Sequence, residues 1–257
     1  MNPVDALMGS PGLAAVLAIV IVAGLAHGTL GFGFPVISTP MVALLTDVQT
    51  AVLVTLFPNL AVNLVSIVRG GDWRQSIARY WPVAVYVLVG TVIGTRVLLL
   101  ADPTPIKLLL AAMIIVYLQQ HRLRGLDWSW LQRHPQASSL MFGLLAGFLS
   151  GTVNVAVPPL VIYFMALGLA PIAMTQILNL CFLVGRSTQA VTFAMAGKLG
   201  WSTFAGTLPL TAIAVLTLFV GMGLQARAGP AVFRLLLRNV LWAMAALLVA
   251  QVLWQHR

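Results

Sequence analysis

Gly94-Thr-Arg-Val-Leu-Leu-Leu-Ala101-Asp-Pro103-Thr-Pro-Ile-Lys107-Leu-Leu-Leu110 returns 127 residues later (221 less 94) as Gly221-Met-Gly-Leu-Gln-Ala-Arg-Ala228-Gly-Pro230-Ala-Val-Phe-Arg234-Leu-Leu-Leu237. Gly, Ala, Pro and three Leu coincide, and Lys107 meets Arg234. Pro82 and Pro209 share the offset, Trp73 and Trp201 lie 128 apart, and Gly28 and Gly151 lie 123 apart. Self-similarity on this scale reads as a tandem duplication. Repeat 1 covers about 11–121, a linker about 122–136, and repeat 2 about 137–254, all within a single transmembrane domain spanning 1–257.

What each copy is made of follows from composition. Of 257 residues, 60% are hydrophobic and 7% charged, with a mean hydropathy of +1.00, against about 25% charged in an ordinary soluble domain. Fourteen Lys/Arg and five acids are too few to build a water-facing surface, so most of the outside faces lipid and a soluble fold is excluded. A helix crossing the bilayer core needs about 20 apolar residues. Stretches at about 48–68, 80–100, 106–120, 172–195, 203–225 and 232–254 read as ordinary spans. Those at about 11–46 and 137–168 are too long for one helix, short for two full crossings and interrupted by Gly and Pro, so each is expected to be a broken helix or a hairpin of two short helices. The expected fold is all-α and polytopic, with each repeat a broken-helix hairpin followed by three transmembrane helices. The N-terminal residues 1–12 hold Asp5 and no Lys or Arg, so a cleaved signal is not expected.

The net charge of +9 is read as topology, because cytoplasmic loops concentrate Lys and Arg; no nucleic-acid partner is expected. Arg69, Arg74 and Arg79, then Arg122, Arg124 and Arg133, then Arg227, Arg234 and Arg238 cluster around three loops. If each hairpin adds an even number of crossings, these loops share one face, and Arg96, Lys107, Lys198 and Arg257 lie at the other. The equivalent loops near Trp73 and Trp201 then fall on opposite faces. That makes the repeats inverted, with both termini extracytoplasmic. The one cysteine, Cys181, excludes an internal disulfide and a Cys-built metal site; no metal or cofactor is expected.

Inverted repeats with broken helices are the pattern of secondary transporters, whose sites lie near the midplane where the broken segments meet. Arg186 is the most informative residue. It falls well inside a span, where a cation costs about 3 kcal/mol and is normally paired. Yet the chain has no Glu, and Asp5, Asp47, Asp72, Asp102 and Asp127 all fall at span ends or in loops. A mobile oxyanion is the expected counter-charge, matched to the planar guanidinium fork; the alternative is that Arg186 snorkels or caps helix carbonyls. Gln176, Asn179 and Arg186 share one helical stripe, with Gln189 one turn on, and Thr55, Asn59, Asn63 and Ser66 form a similar stripe in the first half. Such stripes line a hydrated cavity or glue helices together.

The broken segments are Gly28-Thr-Leu-Gly31-Phe-Gly33-Phe-Pro35 and Gly151-Thr-Val-Asn154-Val-Ala156-Val-Pro158-Pro159. Both join small residues to prolines and favour a helix start pointing inward, which attracts anions. Gly31, Gly33, Thr29, Thr152 and Asn154 are the candidate contributors. Close packing through Gly24/Gly28 and Gly147/Gly151 is a compatible second role. His27, the only histidine within an expected intramembrane segment, is the candidate for proton coupling.

These segments, written out as Gly24-Leu-Ala-His-Gly28-Thr-Leu-Gly31-Phe-Gly33-Phe-Pro35 and Gly143-Leu-Leu-Ala-Gly147-Phe-Leu-Ser-Gly151, with Gly71-Asp72-Trp73-Arg74 after the next span, resemble the TauE/SafE sulfite exporter family, also called the toluenesulfonate uptake permease family. The resemblance runs over nearly the whole chain as two copies. It implies a prokaryotic plasma-membrane carrier, commonly an exporter, of sulfite, organosulfonates or related small anions. Members usually read Gly-x-Gly-Gly-Gly in these segments, whereas here Phe34 and Pro35 follow Gly33, and Asn154, Ala156 and Val157 stand in the second copy. Bulkier residues therefore stand in the expected site.

The expected function is alternating-access transport of sulfite, organosulfonates or related sulfur-containing or carboxylated anions at a site centred on Arg186, with Asn59, Asn63 and Asn179 on the rest of the substrate. No enzymatic activity is expected. A passive anion channel uses the same donors, and Ser150 with His27 prompts a second alternative, an intramembrane hydrolase. The expected partners are the small anion, the lipid bilayer and, in assembly, a second copy of the chain.

Overall fold

The computed structural model describes residues 12–70, 73–123 and 128–228, with isolated helical positions at 242, 246 and 250. The expected span at 232–254, and with it Arg234 and Arg238, lies outside the described residues. The described chain is helical without strands: α1 (Gly12–Leu30), α2 (Phe34–Leu45), α3 (Val48–Arg69), α4 (Trp73–Leu100), α5 (Pro103–Leu123), the short α6 (Ser129–Arg133), α7 (Pro135–Val153), α8 (Val157–Ala166), α9 (Pro171–Met195) and α10 (Trp201–Ala228).

Local chemistry sets the boundaries. The Asp47 carboxylate accepts from the Thr50 N–H at 3.0 Å and the Thr50 hydroxyl at 2.6 Å, an N-cap that explains an acid at a span end. α5 and α7 open on proline, and α9 carries one at its start, where the missing N–H costs nothing. α8 and α9 close on left-handed Gly168 and Gly197, with Leu169 and Lys198 N–H groups returning to the carbonyls of Phe164 and Phe193.

Among the described residues six helices are long and apolar enough to cross a membrane: Gly12–Leu30, Val48–Arg69, Ala78–Leu100, Pro135–Val153, Pro171–Met195 and Trp201–Gln225. The expected span at 106–120 is α5, whose apolar part, Pro103–Gln119, falls short of that length. The two broken stretches are hairpins of unequal arms. Each has one long arm, α1 or α7 at 19 residues, and one short arm, α2 at 12 or α8 at 10. The reason is that Gly24, Gly28, Gly143, Gly147 and Gly151 stay helical and serve packing. The chain breaks only where φ turns positive, at Gly31 (+80°), Gly33 (+110°) and Asn154 (65°). Asn154 stands 123 residues after Gly31, the offset of Gly28 and Gly151, so one left-handed position recurs, filled by the residue types that tolerate it.

Packing is reciprocal between the halves. In lipid there is little hydrophobic drive between helices, so small residues that bring backbones close supply the contact. α7 lies on α4: a Cβ on Gly151 would meet the Thr91 carbonyl at 2.5 Å, the Thr95 nitrogen at 2.6 Å and Gly94 at 2.9 Å. α1 lies on α10 in the same way, where a Cβ on Gly28 would strike the Leu218 carbonyl and meet Gly221 and Met222 at 2.8 Å. Gly28 and Gly151 are repeat equivalents, and so are Gly94 and Gly221. Each half thus lends its fourth helix to the long hairpin arm of the other.

Candidate functional site

α3 and α9 pack against each other and against the two hairpin breaks. Along α3 the buried stripe Thr55, Asn59, Asn63, Ser66 links the two breaks. At its start, the Asn154 amide donates to the Thr39 hydroxyl at 2.7 Å and the Thr55 hydroxyl at 3.4 Å, tying the second break to α2 and α3. At its end, His27 Nε2 lies 3.0 Å from the Ser66 hydroxyl. The Phe34 N–H donates to His27 Nδ1 at 3.4 Å, which leaves the proton on Nε2 to face Ser66. Between them, the Asn63 amide donates to both the backbone and the side-chain oxygen of Asn59 at 2.8 Å.

α9 does the corresponding work for the other half. The Asn179 amide donates to the Gly31 carbonyl at 2.8 Å and the Thr175 carbonyl at 2.9 Å, holding the first break. Arg186 is 2% exposed, the bulkiest of the fully buried side chains. Its Nη1 donates to Gln189 Oε1, and its Nη2 to the carbonyl of Ser150 at 2.6 Å and to the Ser150 hydroxyl. Gln189 in turn donates to the Gly151 carbonyl at 2.9 Å. These partners are all neutral, so among the described residues a buried guanidinium, normally paired with an acid, is held by dipoles. Capping of the α7 carbonyls, the alternative raised from sequence, is therefore one thing Arg186 does.

Hydrogen bonds join Asn154 to α2 and α3, Asn63 to Asn59 and Asn179 to Gly31, while those of Arg186 go to Ser150 and Gln189. Asn59, Asn63, Asn179, Gln176, Thr29, Thr152 and Asn154 are all buried. Asn59 Nδ2, Asn63 Oδ1, Asn154 Oδ1, Gln176 Oε1 and Asn179 Oδ1 are buried without a hydrogen-bond partner. Such atoms cost free energy unless a ligand or water satisfies them, and outside these five residues only Thr95 Oγ1 shares their state among the described residues. The threonines are spent locally: Thr29 donates to the Leu25 and Ala26 carbonyls, and Thr152 to Phe148 at 2.8 Å.

The start of α2 also has little to offer an anion. Phe34 N–H goes to His27, Pro35 has none, and Val36 N–H returns to Gly33 at 3.1 Å. α8 carries Pro158 and Pro159 in its first turn, which removes two further donors. The donors at the centre are side chains. The Ser150 and His27 pair that prompted a hydrolase reading does not form: each is engaged elsewhere, with Arg186 and with Ser66. Thr39, Ser150 and Gln189 are members of the network that the sequence reading did not include as site residues. The Arg186 and Gln189 spacing of one helical turn was the available signal for Gln189.

Comparison with known proteins then gives one finding. The family described as sulfite exporter TauE/SafE matches over residues 16–248, nine-tenths of the chain; no curated protein and no solved structure matches. The chain belongs to the TauE/SafE sulfite exporter family, and with its six apolar helices it is a multi-pass membrane protein of a transporter family.

Proposed function

We propose that this TauE/SafE member is a secondary carrier that exports sulfite, organosulfonates or related small anions by alternating access, with Arg186 as the fixed positive charge of the site. The observation that carries the reading is the buried guanidinium of Arg186 held by Ser150 and Gln189, with no carboxylate partner among the described residues. A substrate oxyanion supplies the missing charge, and the unpartnered amide of Asn59 lies on the neighbouring helix to meet it. Asn63, Asn179 and Gln176 take the remainder of the substrate.

Helix directions support inverted repeats. Gly70, at the end of α3, packs on Gln176 near the start of α9. Thr55, near the start of α3, meets Asn154 next to the α7 end that Gln189 holds. The equivalent helices α3 and α9 are thus antiparallel. α10 runs with α3, since Phe57 meets Phe204 and Arg69 lies over Phe219. α4 runs with α7, since Val83 and Tyr86 meet Gly143 while Thr91 and Thr95 meet Gly151.

With hairpins that enter and leave on one side, this groups Arg69, Arg79 and Arg133 at one end and Arg96 and Lys198 at the other. The positive-inside rule then places the first group in the cytoplasm and both termini outside the plasma membrane.

The test is sulfite and sulfonate flux into proteoliposomes for the wild type and Arg186→Gln. Saturable flux that is abolished in the variant is expected. Wild-type-like flux in the variant overturns the Arg186 site, and non-saturating flux overturns the carrier mechanism.

A further inference from the structure

An open cavity with a cationic wall lies at the end of the bundle where α4 and α7 begin. A cavity of about 810 Å³ opens between the first turns of α4, the start of α7 and the end of α8. Its wall includes Arg79, Tyr86, Gln132, Gln136, Ser139 and Tyr163. Both arms of the second hairpin therefore contribute, together with the helix on which that hairpin packs.

The chemistry of this wall is one-sided. Among the described residues it has a guanidinium, tyrosine hydroxyls and amides, and no carboxylate. Arg79 is exposed, and among the described residues its guanidinium forms no ion pair; it rests 5.7 Å from the centre of the Tyr80 ring. Tyr80 is itself fixed edge-on to Phe164 of α8. Tyr163 is anchored by stacking on Phe142 at 5.4 Å, and Gln132 by its bond to the Ala166 carbonyl at 3.0 Å. The cavity is thus a rigid aromatic frame around a free cationic fork, the arrangement that holds an oxyanion with an apolar substituent.

We propose that this vestibule binds a tetrahedral oxyanion, a sulfonate or a phosphate, with Arg79 as counter-charge, bridging α4 to the base of the second hairpin. The oxyanion comes either from solution or from an anionic lipid headgroup. The proposal does not rest on the Arg186 site.

The experiment is calorimetric titration of methanesulfonate into the full chain in phosphatidylcholine nanodiscs. It compares Arg186→Gln with Arg186→Gln/Arg79→Gln, and the wild type with Arg79→Gln so that no conclusion depends on a buried substitution. Losing one charge-assisted contact is expected to weaken vestibular binding about tenfold or more, with Tyr86→Phe weakening it less. Binding unchanged by Arg79→Gln in both backgrounds overturns the site. A phosphatidylglycerol arm separates the sources: suppression of the Arg79-dependent signal identifies a lipid headgroup in the same site, and persistence identifies a solute.

Discussion

The left-handed residue at each hairpin break allows a test in which backbone and side chain separate. Asn154 has φ 65°, and its amide donates to Thr39 at 2.7 Å. Asn154→Ala keeps a Cβ in the left-handed region, at roughly 1–2 kcal/mol, and loses a hydrogen bond of about 1 kcal/mol, so a loss of roughly 2–3 kcal/mol is expected. Asn154→Gly loses the same bond and adds about 0.5–1 kcal/mol of unfolded-chain entropy, but escapes the backbone strain. Alanine should therefore be the worse replacement by about 1 kcal/mol. The first break behaves differently. A Cβ on Gly31 would come 2.7 Å from Thr175 Cγ2, so Gly31→Ala adds overpacking to strain, a further ~1–3 kcal/mol. Thr175→Ser removes that methyl and keeps the hydroxyl bonded to the Pro171 carbonyl at 2.9 Å. It should return the overpacking share in the double variant and leave the strain. The assay is SDS-titration unfolding of purified protein. Equal losses for Asn154→Ala and Asn154→Gly, or no rescue of Gly31→Ala by Thr175→Ser, would refute the reasoning.

Gly151→Ala places its methyl against α4 backbone within 2.5–2.9 Å, so a loss of about 1–3 kcal/mol is expected in the same unfolding assay, with Gly28→Ala losing as much at the α1 and α10 contact. Ser150→Ala removes one acceptor from Arg186 and is expected to lower the half-saturating sulfite concentration in proteoliposome flux, because the freed donor turns to substrate. Cys181 is wholly buried, so maleimide should label the native protein only after denaturation. In a Cys181→Ala background, Arg133→Cys and Lys198→Cys, both exposed positions, are expected to react with an impermeant maleimide from opposite sides of the membrane; labelling from one side refutes the inverted topology.

How much of this was legible beforehand depends on the range of the interaction. Breaks at Gly31, Gly33 and Asn154 follow from residue type, since few side chains accept a left-handed backbone, and the stripes through Asn59 and Asn179 follow from helical spacing. The lengths of the hairpin arms are not legible in the sequence because a glycine reads alike whether it breaks a helix or packs one. Gly28 and Gly151 remain helical only because Gly221 and Gly94 approach them from the opposite half. The same holds for Arg186. Its place inside a span, its lack of an acid and Gln189 one turn on were visible, but its other partner, Ser150, lies 36 residues away, a pairing that helical spacing does not reveal.

The offset that aligns the breaks also aligns their locks, and the comparison shows where the halves differ. Adding 123 carries His27 to Ser150, Asn63 to Arg186 and Ser66 to Gln189. In the first half, the lock on the long arm is a neutral bond from His27 to Ser66. In the second, it is a cation shared among Ser150 and Gln189. The shapes correspond and the charge does not. On the proposed reading, an oxyanion reaching Arg186 competes with the Ser150 carbonyl for the same N–H groups. A ligand shifts an equilibrium only by its differential affinity for the two states. The second hairpin, whose lock the anion can loosen, is therefore the one whose position substrate binding biases, while the first hairpin keeps a lock that no anion contests.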